Sequence, residues 1–317
     1  MRASLIHNPV AGPWDAQRAL KRISSFLEER GWSVELQLTE KPGDATRLAR
    51  ESARAGCDVA IVAGGDGTVN EVVNGLVGAE TAMAVLPVGT GNVWAKQLNI
   101  PTHTLTHPFR LQETAAGLVE GTIRAIDVGQ ANGRYFLCWA GIGLDAKVTT
   151  EMEPRQRHTK RLGALPYAIA AVLIARDFKG VRTRVLLDGK VVRGRTLLIL
   201  VSNIQQYYGG LFEIAPSAKV DDGLLDVFVF KGLGFQYTVR HLLKILSQRY
   251  LQDPQIVHRQ AKQVEVLTEY TLPIQADGDV VGDTPVTLKV APLALRILAP
   301  PSAPSSLFTS TIGKGSP

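Results

Sequence analysis

The chain is poor in cysteine, methionine and aromatic residues: two, three and 6%, respectively, in 317 residues. The two cysteines, Cys57 and Cys138, cannot build a disulfide framework and lack metal-ligand spacing. They read as small buried side chains of a reducing compartment. Long apolar runs are missing too. The longest, LGALPYAIAAVLIA from Leu162 to Ala175, contains Pro166 and falls short of the roughly 20 residues that cross a bilayer. A buried or interfacial helix is expected there instead. MRASLIHNPVAG has too brief an apolar run before Asn8-Pro9 for a secretory leader. There is no fixed-period repeat, no G-x-x-x-x-G-K-[ST] loop, no G-x-G-x-x-G and no protein-kinase signature set. No basic segment is interleaved with aromatics, so a nucleic-acid partner is not expected.

What remains is ordinary soluble-domain composition, 45% apolar and 20% charged, at a length that favours two domains. The formal charge of +6 points to anionic partners, which charge alone does not distinguish as nucleotide phosphates, an anionic bilayer or nucleic acid.

The first third alternates short apolar runs with helical patterns. ASLIHN, SVELQL, DVAIVA and AMAVLP read as strands. Ala16, Ala19, Leu20, Ile23, Phe26 and Leu27 recur at helical spacing until Gly31. Asp44 is an N-cap candidate for a helix ending before Gly56, and further helices are expected over Thr68–Leu76 and Val93–Leu98. This alternation predicts a doubly wound parallel α/β sheet. Past about Arg124 the pattern changes to β-branched and aromatic runs punctuated by Asp188-Gly189, Asp222-Gly223 and Asp277-Gly278, the mark of an antiparallel β domain. One helical pattern, Tyr237–Tyr250, interrupts it. The last residues, PPSAPSSLFTSTIGKGSP, read as a disordered tail over 301–317.

Three strand-to-helix junctions in the first domain carry glycine. They are Asn8-Pro9-Val10-Ala11-Gly12, Gly64-Gly65-Asp66-Gly67-Thr68 and Pro87-Val88-Gly89-Thr90-Gly91-Asn92. Glycine allows close backbone approach, and the following helix offers unpaired N–H groups to an anion. In an open α/β sheet ligands bind beyond the carboxyl ends of the strands. Three such turns on one edge therefore read as a phosphate site, the plainer alternative being tight connections. Asp66 adds a carboxylate able to orient a metal, a water or a hydroxyl.

NPVAG, GGDGTVNEVVNGL, LPVGTGN, IDVG and DDGLLDV, in that order, resemble the bacterial lipid kinases of the diacylglycerol kinase catalytic-domain type, relatives of the sphingosine kinases. GGDGT alone is shared with NAD kinases and, more loosely, phosphofructokinases; the later motifs are more specific. The resemblance spans Asn8 to about Leu298. It implies an N-terminal ATP-binding domain over 1–125, completed by 293–305, and a C-terminal antiparallel β-sandwich over 126–292 that receives the lipid. It also implies a cleft between the two and the cofactors ATP and Mg²⁺.

Residue by residue, the resemblance assigns Asn8, Pro9, Val10, Ala11 and Gly12 to the first nucleotide loop, with Arg18 near the phosphates and Thr39 as a nucleotide contact. Gly64, Gly65, Asp66, Gly67, Thr68, Val69, Asn70 and Glu71 fall in the phosphate turn and its helix start. Thr90 and Asn92 belong to the second turn, and Asp127 is an acidic site residue. In KVDDGLLDV the resemblance implies a Mg²⁺ held by the Asp222 carboxylate and the carbonyls of Lys219 and Leu224; a hairpin at Asp222-Gly223 is the alternative. Asp279, in QADGDVVGD, stands where relatives carry the glutamate that acts as general base, with Asp277 as a neighbour able to share the role. Relatives often read Gly-Thr-x-Asn-Asp at the second turn, whereas this chain has Val93 in the last place. Asp66 and Asp127 are then expected to supply the missing carboxylate.

The expected activity is transfer of the γ-phosphoryl of ATP to a lipid hydroxyl, with diacylglycerol giving phosphatidic acid. The rivals are a soluble-substrate kinase of NAD-kinase type and a catalytically silent lipid- or nucleotide-binding protein. The basic segment Arg155, Arg157, His158, Lys160 and Arg161, beside the apolar run from Leu162, suits an anionic leaflet. The expected protein is cytoplasmic and peripherally membrane-associated, its partners being ATP, a lipid and, in a homodimer, a second copy.

Overall fold

Uninterrupted apolar runs become central strands here and amphipathic runs become covering helices. In the computed structural model, which describes residues 1–12, 16–102, 110–152, 173–207 and 212–309, the chain begins β1 (Arg2–His7), α1 (Gln17–Glu28), β2 (Ser33–Leu38), α2 (Asp44–Arg54), β3 (Val59–Gly64), α3 (Asp66–Leu76), β4 (Ala82–Pro87), α4 (Val93–Gln97) and α5 (Arg110–Val119). It continues with β5 (Thr122–Ala131), β6 (Arg134–Phe136), β7 (Trp139–Gly143), α6 (Leu144–Met152), β8 (Val181–Leu187), β9 (Lys190–Ser202), β10 (Gln206–Tyr207), β11 (Phe212–Glu213) and β12 (Leu225–Lys231). The last elements are α7 (Phe235–Leu246), β13 (Ile256–Ala261), β14 (Gln263–Thr268), β15 (Pro273–Ala276), β16 (Asp279–Asp283) and β17 (Val286–Ala299). The chain divides into two compact units. One comprises Met1–Asp127, Pro216–Gly223 and the chain from Pro292 on; the other comprises Val128–Ala215 and Leu224–Ala291.

In the first unit the strands run in the order β2-β1-β3-β4, all parallel. β3 and β4 are buried along their whole length, which is why they read as continuous apolar runs rather than as alternation. Leu20, Ile23 and Leu27 of α1 and Leu111 and Leu118 of α5 close over Leu5, Ile61 and Leu86, each such side chain contributing roughly 1.5–3 kcal/mol. The end of β17 adds to this unit beside β4, in parallel, at Ile297↔Met83. The strand order reverses between β1 and β3, the switch point at which such sheets bind ligands.

The second unit is antiparallel, as its sequence predicted. β9 pairs with β7, β8 and β12, β14 joins β8 to the start of β17, and β15 joins β7 to β16. Two of the expected Asp-Gly turns are tight hairpins. Asp188-Gly189 and Asp277-Gly278 have positive φ at both residues, as does Asn132-Gly133, the requirement of the two-residue turn that matches strand twist.

Three expectations change. Asp222-Gly223 is not a hairpin, because β11 pairs with β10 and β12 pairs with β9 and β13. The stretch 216–223, assigned above to the second domain, belongs with the first unit; the Val220 carbonyl accepts from the Asp127 N–H and the Val220 N–H donates to Leu307. The supposed tail is packed as far as residue 309: Leu307 and Phe308 are buried, and Lys219 Nζ donates to the Phe308 carbonyl at 2.9 Å. Proline and serine content hid two apolar anchors. Residues 310–317, the basic segment Arg155–Arg161 and the apolar run from Leu162 to residue 172 lie outside the described residues. Among those described, no helix is long and apolar enough to cross a membrane.

Candidate active site

The three glycine turns of the first unit meet at the switch point. Asn8 leaves β1 with its N–H bonded to the Ala63 carbonyl of β3. Its Nδ2 donates to Thr68 Oγ1 at 3.0 Å, and its Oδ1 accepts from the Val10 N–H at 3.1 Å. One asparagine thus ties the first loop to the first turn of α3. Gly12 has φ +77°, and a Cβ there would collide with the Val88 carbonyl. A side chain on Gly89 would run into the Gly65 Cα at 2.5 Å. These contacts bring the loops after β1, β3 and β4 into one cluster and explain the glycines by close approach. Gly67 is exposed at the start of α3, where unpaired N–H groups and the helix dipole favour an anion. Arg18 is exposed in the first turn of α1, Thr90 is exposed in the third turn, and Thr39 is buried at the carboxyl end of β2 with its N–H on the His7 carbonyl.

Asp66 does not simply face outward. Its Oδ1 accepts from the Val93 N–H at 2.6 Å, and Gly91 packs so closely against Oδ2 that no side chain could replace its hydrogen. Burial pushes its carboxyl above the ordinary 3.8, while the Val93 and Asn92 N–H groups and Lys96 pull the other way. Asn92 takes a left-handed conformation and its Nδ2 holds the Gly89 carbonyl at 2.7 Å. The departure at Val93 is therefore accommodated: Asp66 reaches the backbone of that position and satisfies the start of α4. Glu71 also turns away from the phosphate turn. Its Oε2 accepts from the Ala45 N–H at 3.1 Å, satisfying the start of α2.

Asp127 is fully buried, and both oxygens are engaged. Oδ2 accepts from the Gly223 N–H at 2.6 Å and Oδ1 from the Leu293 N–H at 2.7 Å. Burial pushes its carboxyl up, and these N–H groups oppose that. This is the geometry of a positioning residue. It fixes the stretch Lys219–Leu224, which is also pinned by Lys219 Nζ on Phe308 and by Asp221 Oδ1 on the Thr309 N–H at 2.6 Å. Asp222 lies in the same turn, between Asp221 and Gly223. Asp222 with two backbone carbonyls is an oxygen-only donor set of low charge, which fits Mg²⁺. No cluster of three or more His, Cys, Asp or Glu occurs among the described residues.

Asp279 lies in the second unit, at the first position of β16, directly after the Asp277-Gly278 turn. Its side chain is 48% exposed and forms an ion pair with Arg134 NH2. Asp277 differs completely. Its Oδ2 accepts from the Leu137 N–H at 2.6 Å, and its Oδ1 accepts from the Cys138 and Trp139 N–H groups at 2.9 and 3.0 Å. With three backbone partners Asp277 anchors the hairpin and is a poor candidate to share a base role. Gln275 braces the same turn from behind, its Oε1 accepting from the Gly278 N–H at 2.9 Å and its Nε2 donating to Asp145. Asp145 also accepts from the buried Tyr207 hydroxyl at 2.8 Å.

Sequence reasoning missed Arg134, Gln275 and Asp145. Gln275 lay within a quoted motif, but nothing in its spacing marks it as the buried brace of the turn. Arg134 and Asp145 carried no local signal, because their partners lie more than 100 residues along the chain.

Residues 2–131 match the model of the diacylglycerol kinase catalytic domain, and residues 139–299 match that of the YegS C-terminal NAD kinase beta sandwich-like domain. The chain is 30% identical over 286 residues to a diacylglycerol kinase of Bacillus subtilis, covering 90% of this chain and 91% of that one. It is 28% identical over 287 residues to a diacylglycerol kinase of Staphylococcus carnosus, with 90% of each covered. A crystal structure of a diacylglycerol kinase from Bacillus anthracis superposes with a TM-score of 0.76 at 29% identity, covering 95% of this chain and 98% of that one.

Proposed function

The chain belongs to the diacylglycerol kinase catalytic-domain family, and from that premise we propose that this lipid kinase transfers the γ-phosphoryl of ATP to the free hydroxyl of a diacylglycerol, giving phosphatidic acid. The observation that carries the reading is the convergence of three glycine turns on the β1/β3 switch point, with Asn8 and Thr68 bonded across it. That edge suits a triphosphate. Thr68, Asn8 and the first N–H groups of α3 grip the phosphates, Arg18 adds positive charge, and Thr39 and Thr90 contact the remainder of the nucleotide.

In phosphoryl transfer the lipid oxygen bonds to phosphorus as the bond to the ADP oxygen breaks, and the hydroxyl proton must leave. Asp279 accepts that proton on its carboxylate, with Arg134 orienting it. Asp277 and Gln275 hold the hairpin that presents it. Protein catalysis of this kind is chiefly alignment and charge stabilisation. A Mg²⁺ held by Asp222 and the carbonyls of Lys219 and Leu224 would supply fixed positive charge, and Asp127 is the residue that sets the shape of that stretch.

The test is transfer of labelled phosphate from ATP to a panel of diacylglycerol, sphingoid base, monoacylglycerol and NAD, the lipids in mixed micelles. Labelling of diacylglycerol above the others, dependent on added Mg²⁺, supports the reading. Labelling of NAD with none of the lipids would overturn it.

A further inference from the structure

α7 is turned the wrong way round for a helix that serves only its own unit. Phe235, Val239, Leu242, Leu243 and Leu246 recur at spacings of three, four or one along it. At 100° per residue they share one arc of about 100°. All five are exposed, Leu243 at 59% and Leu246 at 58%. The opposite side carries Tyr237, Thr238 and His241. Only His241 of the helix is fully buried, its Nε2 lying 2.8 Å from the Lys231 carbonyl. A surface helix ordinarily does the reverse, apolar inward and polar outward. Leu233 before the helix and Leu251 after it are exposed as well.

The segment that carries this stripe holds charge of one sign. No Asp or Glu occurs between Asp226 and Asp253, whereas Lys231, Arg240, Lys244 and Arg249 do. Arg240 is spent on the buried Asp253 through two bonds of 2.9 and 3.0 Å. Lys244, half-buried, lies about 100° round the helix from Leu243, at the flank of the stripe, and exposed Arg249 follows the helix end. An apolar arc with cationic side chains and no acids is matched by an anionic lipid surface. A second copy paired isologously through this face would set like charges against each other.

We propose that α7 docks the protein on an anionic bilayer, with Phe235, Leu243 and Leu246 entering the headgroup–acyl boundary and Lys244 and Arg249 meeting anionic headgroups. The proposal rests on the lipid-kinase reading, under which the substrate resides in a bilayer. It also gives that reading a direction: each turnover adds a phosphate monoester to the surface that α7 binds, so product strengthens docking.

The experiment is cosedimentation of the full chain with phosphatidylcholine vesicles made with and without phosphatidylglycerol or phosphatidic acid. The variants are Leu243→Asp/Leu246→Asp and Lys244→Glu/Arg249→Glu, all at exposed or half-buried positions. Wild type binds the anionic vesicles and releases them at high salt. Each double variant loses about tenfold or more in binding, while its melting temperature and its transfer to a dispersed short-chain diacylglycerol stay at wild-type levels. Unchanged vesicle binding by the charge-reversal variant overturns the proposal. So does a wild-type dimer in sedimentation that Leu243→Asp/Leu246→Asp splits, which would make the stripe a homotypic interface. Absence of transfer to the short-chain substrate by wild type would instead overturn the kinase reading, leaving vesicle binding to decide docking by itself.

Discussion

Asp66 and Asp279 occupy turns that look alike in sequence, each an aspartate beside glycine at the end of a strand, yet they use their oxygens differently. Asp66 gives Oδ1 to the Val93 N–H and packs Oδ2 against Gly91, so that it helps to build the edge where the glycine turns meet. Asp279 stands on a braced hairpin, nearly half exposed, against a guanidinium. Asp127 and Asp277 behave like Asp66, their oxygens taken up by two and three backbone N–H groups respectively. An acidic residue in a conspicuous motif is thus more often an anchor for backbone than a reagent. What separates the two is the identity of the partner: Asp66 is held by a peptide N–H, whereas Asp279 meets a half-exposed charged side chain.

The largest effect that bears on this contrast is Asp279→Ala. Loss of a general base costs typically 10²–10⁴-fold, so phosphoryl transfer should fall by at least about a hundredfold, with an unchanged melting curve. Asp279→Glu, which keeps the carboxylate and lengthens the side chain by one methylene, should recover most of the rate, and a rate assay on the three proteins checks both. Next comes Asp66→Ala. Stranding the Val93 N–H and loosening the contact at Gly91 costs about 1–3 kcal/mol, seen as a roughly ten- to hundredfold rise in KM for ATP.

Asp127→Asn sharpens the comparison from the other side. One oxygen becomes an NH₂ facing a backbone N–H, again worth about 1–3 kcal/mol, so a melting temperature lower by a few degrees is expected, together with a raised Mg²⁺ requirement. Asp277→Ala should resemble Asp127→Asn in stability. It should lower the transfer rate far less than Asp279→Ala does.

The smallest effect is in pH dependence. The folded-state carboxyl of Asp66 is raised above 3.8. Its relative contribution is therefore fullest below 3.8 and is lost as pH rises through the folded value. The difference in melting temperature between wild type and Asp66→Asn should shift in favour of wild type as pH is lowered through that window, measured by calorimetry. A shift in the opposite direction would contradict the burial assigned to Asp66.

Much of the edge where the glycine turns meet was legible in the sequence because its signals are local. A Gly-rich turn after an apolar run states both its backbone requirement and its place at a strand end, and β3 and β4 announce their burial by lacking polar alternation. The roles of Asp127 and Asp277 were not legible. Their partners, Leu293 and Leu137–Trp139, are brought in by β17 and β7, and no spacing rule links them. The end of the chain misled for a similar reason, since Leu307 and Phe308 bury themselves within a Pro- and Ser-rich stretch. Helix α7 shows the remaining limit: its periodicity revealed a helix but not that an apolar face of it would point outward.

The most direct test of the division between shaping and reacting carboxylates is the kcat and KM for ATP of wild type, Asp66→Ala and Asp279→Ala on one dispersed diacylglycerol. The account predicts that Asp279→Ala lowers kcat by at least about a hundredfold with KM for ATP unchanged, whereas Asp66→Ala raises KM for ATP. A kcat for Asp279→Ala within about twofold of wild type would contradict it.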